Sequence, residues 1–157
     1  LEFARNPEIK RQNVSLGGLA LEMKRLLEDR HPGMKMTVVF PDDDCFVQGD
    51  PTQLRQMYLN LAQNAGEATG FSGTLEVHMR RNGAMAEIRF DDEGPGIPPD
   101  KVARIFEPFY TGKERGVGMG LAICSRIVTA HDGTIQAAAR PGGGASMIVR
   151  LPAARFE

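Results

Sequence analysis

Three sets of residues in this sequence have the types and spacing to do chemistry. Gly116, Gly118 and Gly120 alternate in a run that leads straight into an apolar-periodic stretch. A helix N-terminus presents unbonded backbone N–H groups, and glycine lets an anion come close to them. Such a turn is either a phosphate cradle or a set of glycines serving only packing and turns. A second glycine-rich turn, Asp92-Glu93-Gly94-Pro95-Gly96-Ile97, lies before it, with an irregular segment between the two from Phe106 to Val117. The third set is a stripe of Gln53, Gln56, Asn60, Asn64 and Glu67, recurring at helical spacing where a purely solvated face more often carries Lys and Glu. A dinucleotide fingerprint does not account for the glycines, because that motif follows a strand of a parallel βαβ unit and here a long loop precedes it.

The elements that must position these residues follow from periodicity and punctuation. Ser15 is a plausible N-cap, and Leu16, Leu19, Ala20, Met23, Leu26 and Leu27 recur at helical spacing until His31-Pro32-Gly33 ends the pattern. Met34 to Phe40 is strand-like, 41–44 a turn, and Cys45 to Gln48 a second short strand. Asp50 followed by Pro51 reads as an N-cap with proline at the first helical position, opening a helix whose apolar stripe is Leu54, Met57, Tyr58, Leu61 and Ala65. Thr74 to Arg80 and Ala84 to Asp91 alternate around Asn82-Gly83, which predicts a hairpin. A short helical piece is expected near Pro99 to Ile105, a long helix over Gly118 to His131, and a final strand pair over Thr134 to Ala139 and Ala145 to Leu151. Three substantial helices and about six strands predict an α+β sandwich, its helices on one face of a mostly antiparallel sheet. His78 falls on a strand and His131 at a helix end, where a positive charge would favour the helix dipole; both read as structural.

Composition narrows the field. The chain has 157 residues, 41% of them hydrophobic, which suits one core and one domain. Its 19 Lys and Arg against 20 Asp and Glu leave a net charge of −1, with no basic surplus to favour nucleic acid or an anionic membrane. The 18 Gly and 10 Pro exceed average usage and must sit in loops. Cys45 and Cys124 are far apart and lack zinc-site spacing, so reduced thiols are expected. No apolar run approaches a membrane span. A cytoplasmic fragment is expected, without direct membrane contact, although a longer parent could be anchored in the inner membrane.

Four segments taken together in order carry a resemblance. Asn60-Leu61-Ala62-Gln63-Asn64-Ala65 resembles the asparagine box of the GHKL, or Bergerat, ATP-binding fold, and 92–97 is similar to its first glycine box. Ile105-Phe106-Glu107-Pro108-Phe109-Tyr110 resembles the phenylalanine box of sensor histidine kinases, and 116–121 the second glycine box. The resemblance implies the catalytic and ATP-binding domain of a two-component sensor histidine kinase, a two-layer sandwich with an ATP lid. It covers roughly residues 14 to 152. On this reading 14–157 is the catalytic domain, and 1–13 is a linker or the remnant of a preceding helical dimerisation and phosphoacceptor domain.

Each box has a chemical reason beside the resemblance. Mg²⁺ takes oxygen ligands and shares them with substrate phosphates, and the Asn64 amide oxygen is such a ligand, with Asn60 one turn earlier on the same face. Asp92 can accept a hydrogen bond from the exocyclic amine of adenine, where guanine would present a carbonyl oxygen; its bland reading is simply the start of a turn. Asp91 and Glu93 read as surface residues. Gly94, Gly96 and Ile97 would pass close to base and ribose, and Phe106 and Phe109 would anchor a lid. Tyr110, Thr111, Lys113 and Arg115 lie in that lid, where Lys113 and Arg115 are candidates for the β- and γ-phosphates and one of them is expected to be solvated charge. Gly116, Val117, Gly118, Met119, Gly120 and Leu121 complete the nucleotide contacts.

In gyrase- and mismatch-repair-type relatives, a glutamate one turn before the metal-binding asparagine serves hydrolysis. That position here is Asn60, and an amide cannot take a proton from water, so transfer to a separate nucleophile is favoured over hydrolysis. Glu67, a turn beyond Asn64, departs from the basic residue many histidine kinases carry in that region. None of His31, His78 and His131 sits in a phosphoacceptor motif, so the histidine is expected on the separate dimerisation domain, in cis or trans, with relay to the aspartate of a response regulator receiver domain. The fragment is expected to be monomeric and the full-length protein a homodimer. Two alternatives remain at this point: a GHKL serine kinase of the anti-sigma type, and a nucleotide-sensing module without turnover.

Overall fold

The computed structural model describes residues 9–39, 45–107 and 120–154. Its elements in chain order are β1 (Gln12–Ser15), α1 (Leu16–Arg30), β2 (Met34–Val39), β3 (Phe46–Gly49), α2 (Pro51–Thr69), β4 (Gly73–Asn82), β5 (Met85–Asp91), α3 (Gly120–Ala130), β6 (Thr134–Ala139) and β7 (Ala145–Pro152). Three helices and a mixed five-stranded sheet, with a small second sheet, form the expected α+β sandwich. The large sheet has the order β2-β4-β5-β7-β6; only the β2–β4 pair is parallel, so the antiparallel majority holds. β1 and β3 make the small sheet, with Val14 opposite Val47. β1 was not anticipated: Gln12-Asn13 has no apolar alternation, and β3 supplies the pairing.

Alternation decides which sheet face is buried. Leu75, Val77 and Met79 of β4, Ala86, Ile88 and Phe90 of β5, and Met147, Val149 and Leu151 of β7 turn inward and are buried. Their registers match, with Val77 opposite Phe90 and Phe90 opposite Met147, so one continuous apolar layer faces the helices. Tyr58 of α2 is fully buried in it, packs edge-on against Phe90 at 5.5 Å, and donates its hydroxyl to Leu16 O at 2.8 Å. The other sheet face is charged. Glu87 is shared by Arg80 and Arg150, each with Nε at 3.0 Å. Asp91 was expected on the surface but is 5% exposed, because Arg89 and Ser146 satisfy its two oxygens.

The helix starts follow their caps. Ser15 Oγ accepts from Gly18 N, and Asp50 Oδ1 accepts from Thr52 N and Gln53 N with Pro51 in the first turn. α2 ends at Gly70, whose φ of +66° is the left-handed conformation that favours glycine. The expected helical piece near Pro99 is instead a chain of single turns, with Lys101 N bonded to Pro98 O and Arg104 N to Lys101 O. Among the described residues no helix is long and apolar enough to cross a membrane.

Candidate functional site

The candidate site is framed by one face of α2, the first glycine turn and Gly120, which opens α3. α2 must present its apolar stripe to the sheet, which leaves Gln56, Asn60 and Asn64 on its other side, with Asn60 and Asn64 half-buried. Gln56 Nε2 donates to Asn60 Oδ1 at 2.7 Å, and Asn60 Nδ2 donates to Gly120 O at 3.3 Å. The Asn60 amide is therefore held at both ends, and it joins α2 to the residue that opens α3.

The other end of the stripe meets the first glycine turn. A Cβ on Gly94 would lie 3.0 Å from Ala68 Cβ, 3.1 Å from Ala68 O and 3.2 Å from Asp92 Oδ1. Only glycine lets the turn sit this close to α2, one helical turn beyond Asn64. Between its contact with Gly120 at Asn60 and its contact with Gly94 at Ala68, α2 advances about 12 Å along its axis. Gly120 and the first glycine turn thus bracket Asn60 and Asn64 along the helix.

Asp92 is the most constrained carboxylate here. It is 4% exposed, and its Oδ1 accepts from Gly94 N at 2.9 Å and Ala145 N at 3.1 Å, while its own N–H donates to Ala145 O at 3.0 Å. It does start a turn, through the bond to Gly94, but the second bond to β7 goes beyond turn formation. Gly144 makes the arrangement possible: its φ is +100°, and a Cβ there would lie 2.0 Å from Asp92 O. Arg140 Nη1 donates to the same carbonyl at 3.2 Å, and Arg140 also pairs with Glu76. Glu93 is exposed as expected, and its carboxylate accepts from Thr74 N. A cleft of about 540 Å³ lies beside the turn, lined by Ala68, Thr69, Gly73, Glu93, Gly94 and Pro95.

Of the other anticipated site residues, Ile97 and Phe106 are half-buried against the core, and Leu121 packs there from the first turn of α3. Gly96 has a φ of +84° and approaches Gly144 O. Phe109, Tyr110, Thr111, Lys113, Arg115, Gly116, Val117, Gly118 and Met119 lie outside the described residues. Cys124 is buried beneath Asn60; its thiol is pushed up to about 12 by burial, with a smaller opposing effect from the Asn60 side chain. Its Sγ donates to Met57 O at 3.6 Å.

Two histidines differ in consequence. His78 stands on the charged sheet face, its Nε2 3.6 Å from Glu76 and 3.9 Å from Asp91. His131 is 3% exposed, and its Nε2 accepts from Asp50 N at 3.0 Å. With Nδ1 set 2.8 Å from Ile127 O, the ring carries its hydrogen on Nδ1 and supplies no charge to the helix end. The positive charge there belongs to Arg11, whose Nη2 reaches Ala130 O and Asp132, each at 3.2 Å.

Comparison with known proteins places this geometry in a family. Residues 49–155 match the model described as "Histidine kinase-, DNA gyrase B-, and HSP90-like ATPase". The chain is 34% identical to the sensor histidine kinase ZraS of Escherichia coli K12 over 154 residues, covering 97% of this chain and 33% of that protein. Full-length ShkA, solved in complex with AMPPNP, superposes with a TM-score of 0.85 at 30% identity, covering 98% of this chain and 33% of that one. Histidine kinase ThkA, solved in complex with response regulator protein TrrA, gives a TM-score of 0.84 at 27% identity over 98% of this chain and 45% of that one. The chain spans about a third of the length of the curated relatives it matches from end to end.

Proposed function

Because the chain belongs to the histidine kinase-, DNA gyrase B- and HSP90-like ATPase family, as a histidine kinase ATP-binding domain, we propose that it binds Mg·ATP and passes the γ-phosphoryl group to a histidine. That histidine sits on a dimerisation domain of the same kinase, and relay continues to the aspartate of a response regulator. The proposed catalytic unit is residues 14–157, with 1–13 as the link to the dimerisation domain. The AMPPNP complex of ShkA supports an adenine nucleotide as ligand, and the TrrA complex of ThkA supports a receiver domain as partner.

The observation that carries the reading is the Asp92 carboxylate, held by two backbone donors beside a helix that carries the amides Gln56, Asn60 and Asn64 on one side. With Oδ1 occupied, Oδ2 receives the exocyclic amine of adenine, which guanine cannot supply. The residue types fit a magnesium nucleotide: the side-chain amide of Asn64 carries a neutral oxygen of the kind Mg²⁺ takes. Bound Mg²⁺ would neutralise phosphate charge as it builds. Asn60 takes no proton from water, so it orients rather than hydrolyses, while one of Lys113 and Arg115 would contact the terminal phosphates. The chain's own contribution is then positioning and charge neutralisation for an in-line displacement by an imidazole nitrogen.

Calorimetric titration with ATP, GTP and a non-hydrolysable ATP analogue, with and without Mg²⁺, tests binding. ATP preference that strengthens with Mg²⁺ and weakens in Asn64→Asp is the expected result. Phosphotransfer to an added helical domain should give an acid-labile, alkali-stable product. An acid-stable product would indicate a hydroxyl acceptor and refute histidine transfer.

A further inference from the structure

α2 and α3 lie antiparallel and are tied at three levels. At one end Asn60 Nδ2 donates to Gly120 O; about one turn along Cys124 Sγ donates to Met57 O; at the other end Asp50 N–H donates to His131 Nε2. Asp50 to Asn60 spans ten residues of α2 and Gly120 to His131 eleven of α3, so the end ties are about 15 to 16 Å apart along both helices. A rigid helix pinned at one end has its position at the other end set as well.

The His131 tie is built rather than incidental. The ring is 3% exposed, its Nδ1–H is spent on Ile127 O one turn back, and Nε2 is therefore free to accept. Gly49 makes room for it, since a Cβ there would lie 2.8 Å from His131 Cδ2 and 2.9 Å from Leu54 Cδ1. Asp50, the donating residue, is at once the N-cap of α2. The entering chain closes on the same point: Lys10 N donates to Asp50 Oδ2 at 3.2 Å, and Arg11 donates to Gln48 O and Ala130 O.

We propose that His131 is a positioning residue for the nucleotide site: it sets the register of α3 along α2 and so fixes where the chain entering α3 at Gly120 meets Asn60. This rests on the nucleotide reading of that site. His131 itself makes no contact with substrate.

The test uses this chain with His131→Leu, which removes the acceptor, and His131→Gln, whose amide oxygen restores it. Leu27→Ala, a core truncation in α1, serves as the destabilised control. Calorimetry reads ATP affinity, and two-dimensional NMR of nucleotide-free protein reads the Asn60 side-chain amide. His131→Leu should weaken ATP binding about tenfold or more, as expected for misplacement of an angstrom or less at a distant site, and should shift the Asn60 amide signal. His131→Gln should stay within about threefold of the parent, and Leu27→Ala should lower thermal stability without moving either readout. Unchanged affinity and an unmoved Asn60 signal in His131→Leu overturn the proposal, as does an equal effect in Leu27→Ala. If His131→Leu does not fold, Gly49→Ala, which pushes on the ring while keeping it, must move the Asn60 signal or the proposal fails. Absence of ATP binding by the parent chain would refute the nucleotide reading, and the Asn60 signal alone would then decide the register claim.

Discussion

Replacing Asp92 by asparagine separates its observed hold on two backbone N–H groups from its proposed selection of the base. The side-chain amide of Asp92→Asn would keep a carbonyl oxygen where Gly94 N and Ala145 N donate at 2.9 and 3.1 Å, so the turn and the end of β7 keep their partners. At the second oxygen it would place an NH₂ group, which points a donor at the donor amine of adenine. The variant loses a hydrogen bond to a charged acceptor, about 1.5–3 kcal/mol, and leaves the amine unpaired, so about 3 kcal/mol of ATP binding should vanish, roughly 100-fold in affinity. Guanine, with a carbonyl oxygen at that position, should lose far less, and the ATP-to-GTP preference should narrow or invert. Asp92→Ala differs in kind: it strands two backbone N–H groups, costing about 2–5 kcal/mol of a total near 5–15. Calorimetry with both nucleotides, alongside thermal unfolding, measures both effects. A folded Asp92→Asn protein that binds ATP within threefold of the parent refutes base selection by this carboxylate, and an Asp92→Ala protein of unchanged stability refutes the cradle.

Three further outcomes are expected. Burial raises the Glu87 carboxyl, but Arg80 and Arg150 more than offset this and hold it below its ordinary 4.5; its stabilisation is therefore present above that value and lost as pH falls through the lower folded value. Acid unfolding profiles should accordingly be flatter below about pH 4.5 for Glu87→Gln than for the parent chain. The Cys124 thiol, pushed up to about 12, should resist alkylation at neutral pH in folded protein and react at the ordinary rate once denaturant exposes it; quantitative labelling of native protein would contradict its burial. Gly144→Ala forces a Cβ onto Asp92 O at a φ of +100°. It should cost about 2–4 kcal/mol, seen as a fall of roughly 10 °C in melting temperature, and should weaken ATP binding by disturbing Asp92.

Local rules were enough to read most elements. Ser15 and Asp50 cap their helices because side-chain oxygens beside free N–H groups act within three residues, and the β4–β5 hairpin follows from alternation around Asn82-Gly83. Asn60, Asn64 and Asp92 were legible as candidate site residues for the same reason, since residue type and spacing along one helix or turn are linear properties. What the sequence could not carry was pairing across distance. Asp91 looks like a surface residue until Ser146 of β7 lies opposite it, β1 has no strand pattern until β3 offers an edge, and Pro99 to Ile105 looks helical although only single turns form. His131 shows this most plainly: in the sequence it is a helix-end histidine suited to a dipole, and in the fold Asp50, 81 residues away, makes it an uncharged acceptor at Nε2 while Arg11 brings the charge. Chain order determines which groups are available to bond, and only tertiary packing decides which of them meet away from water.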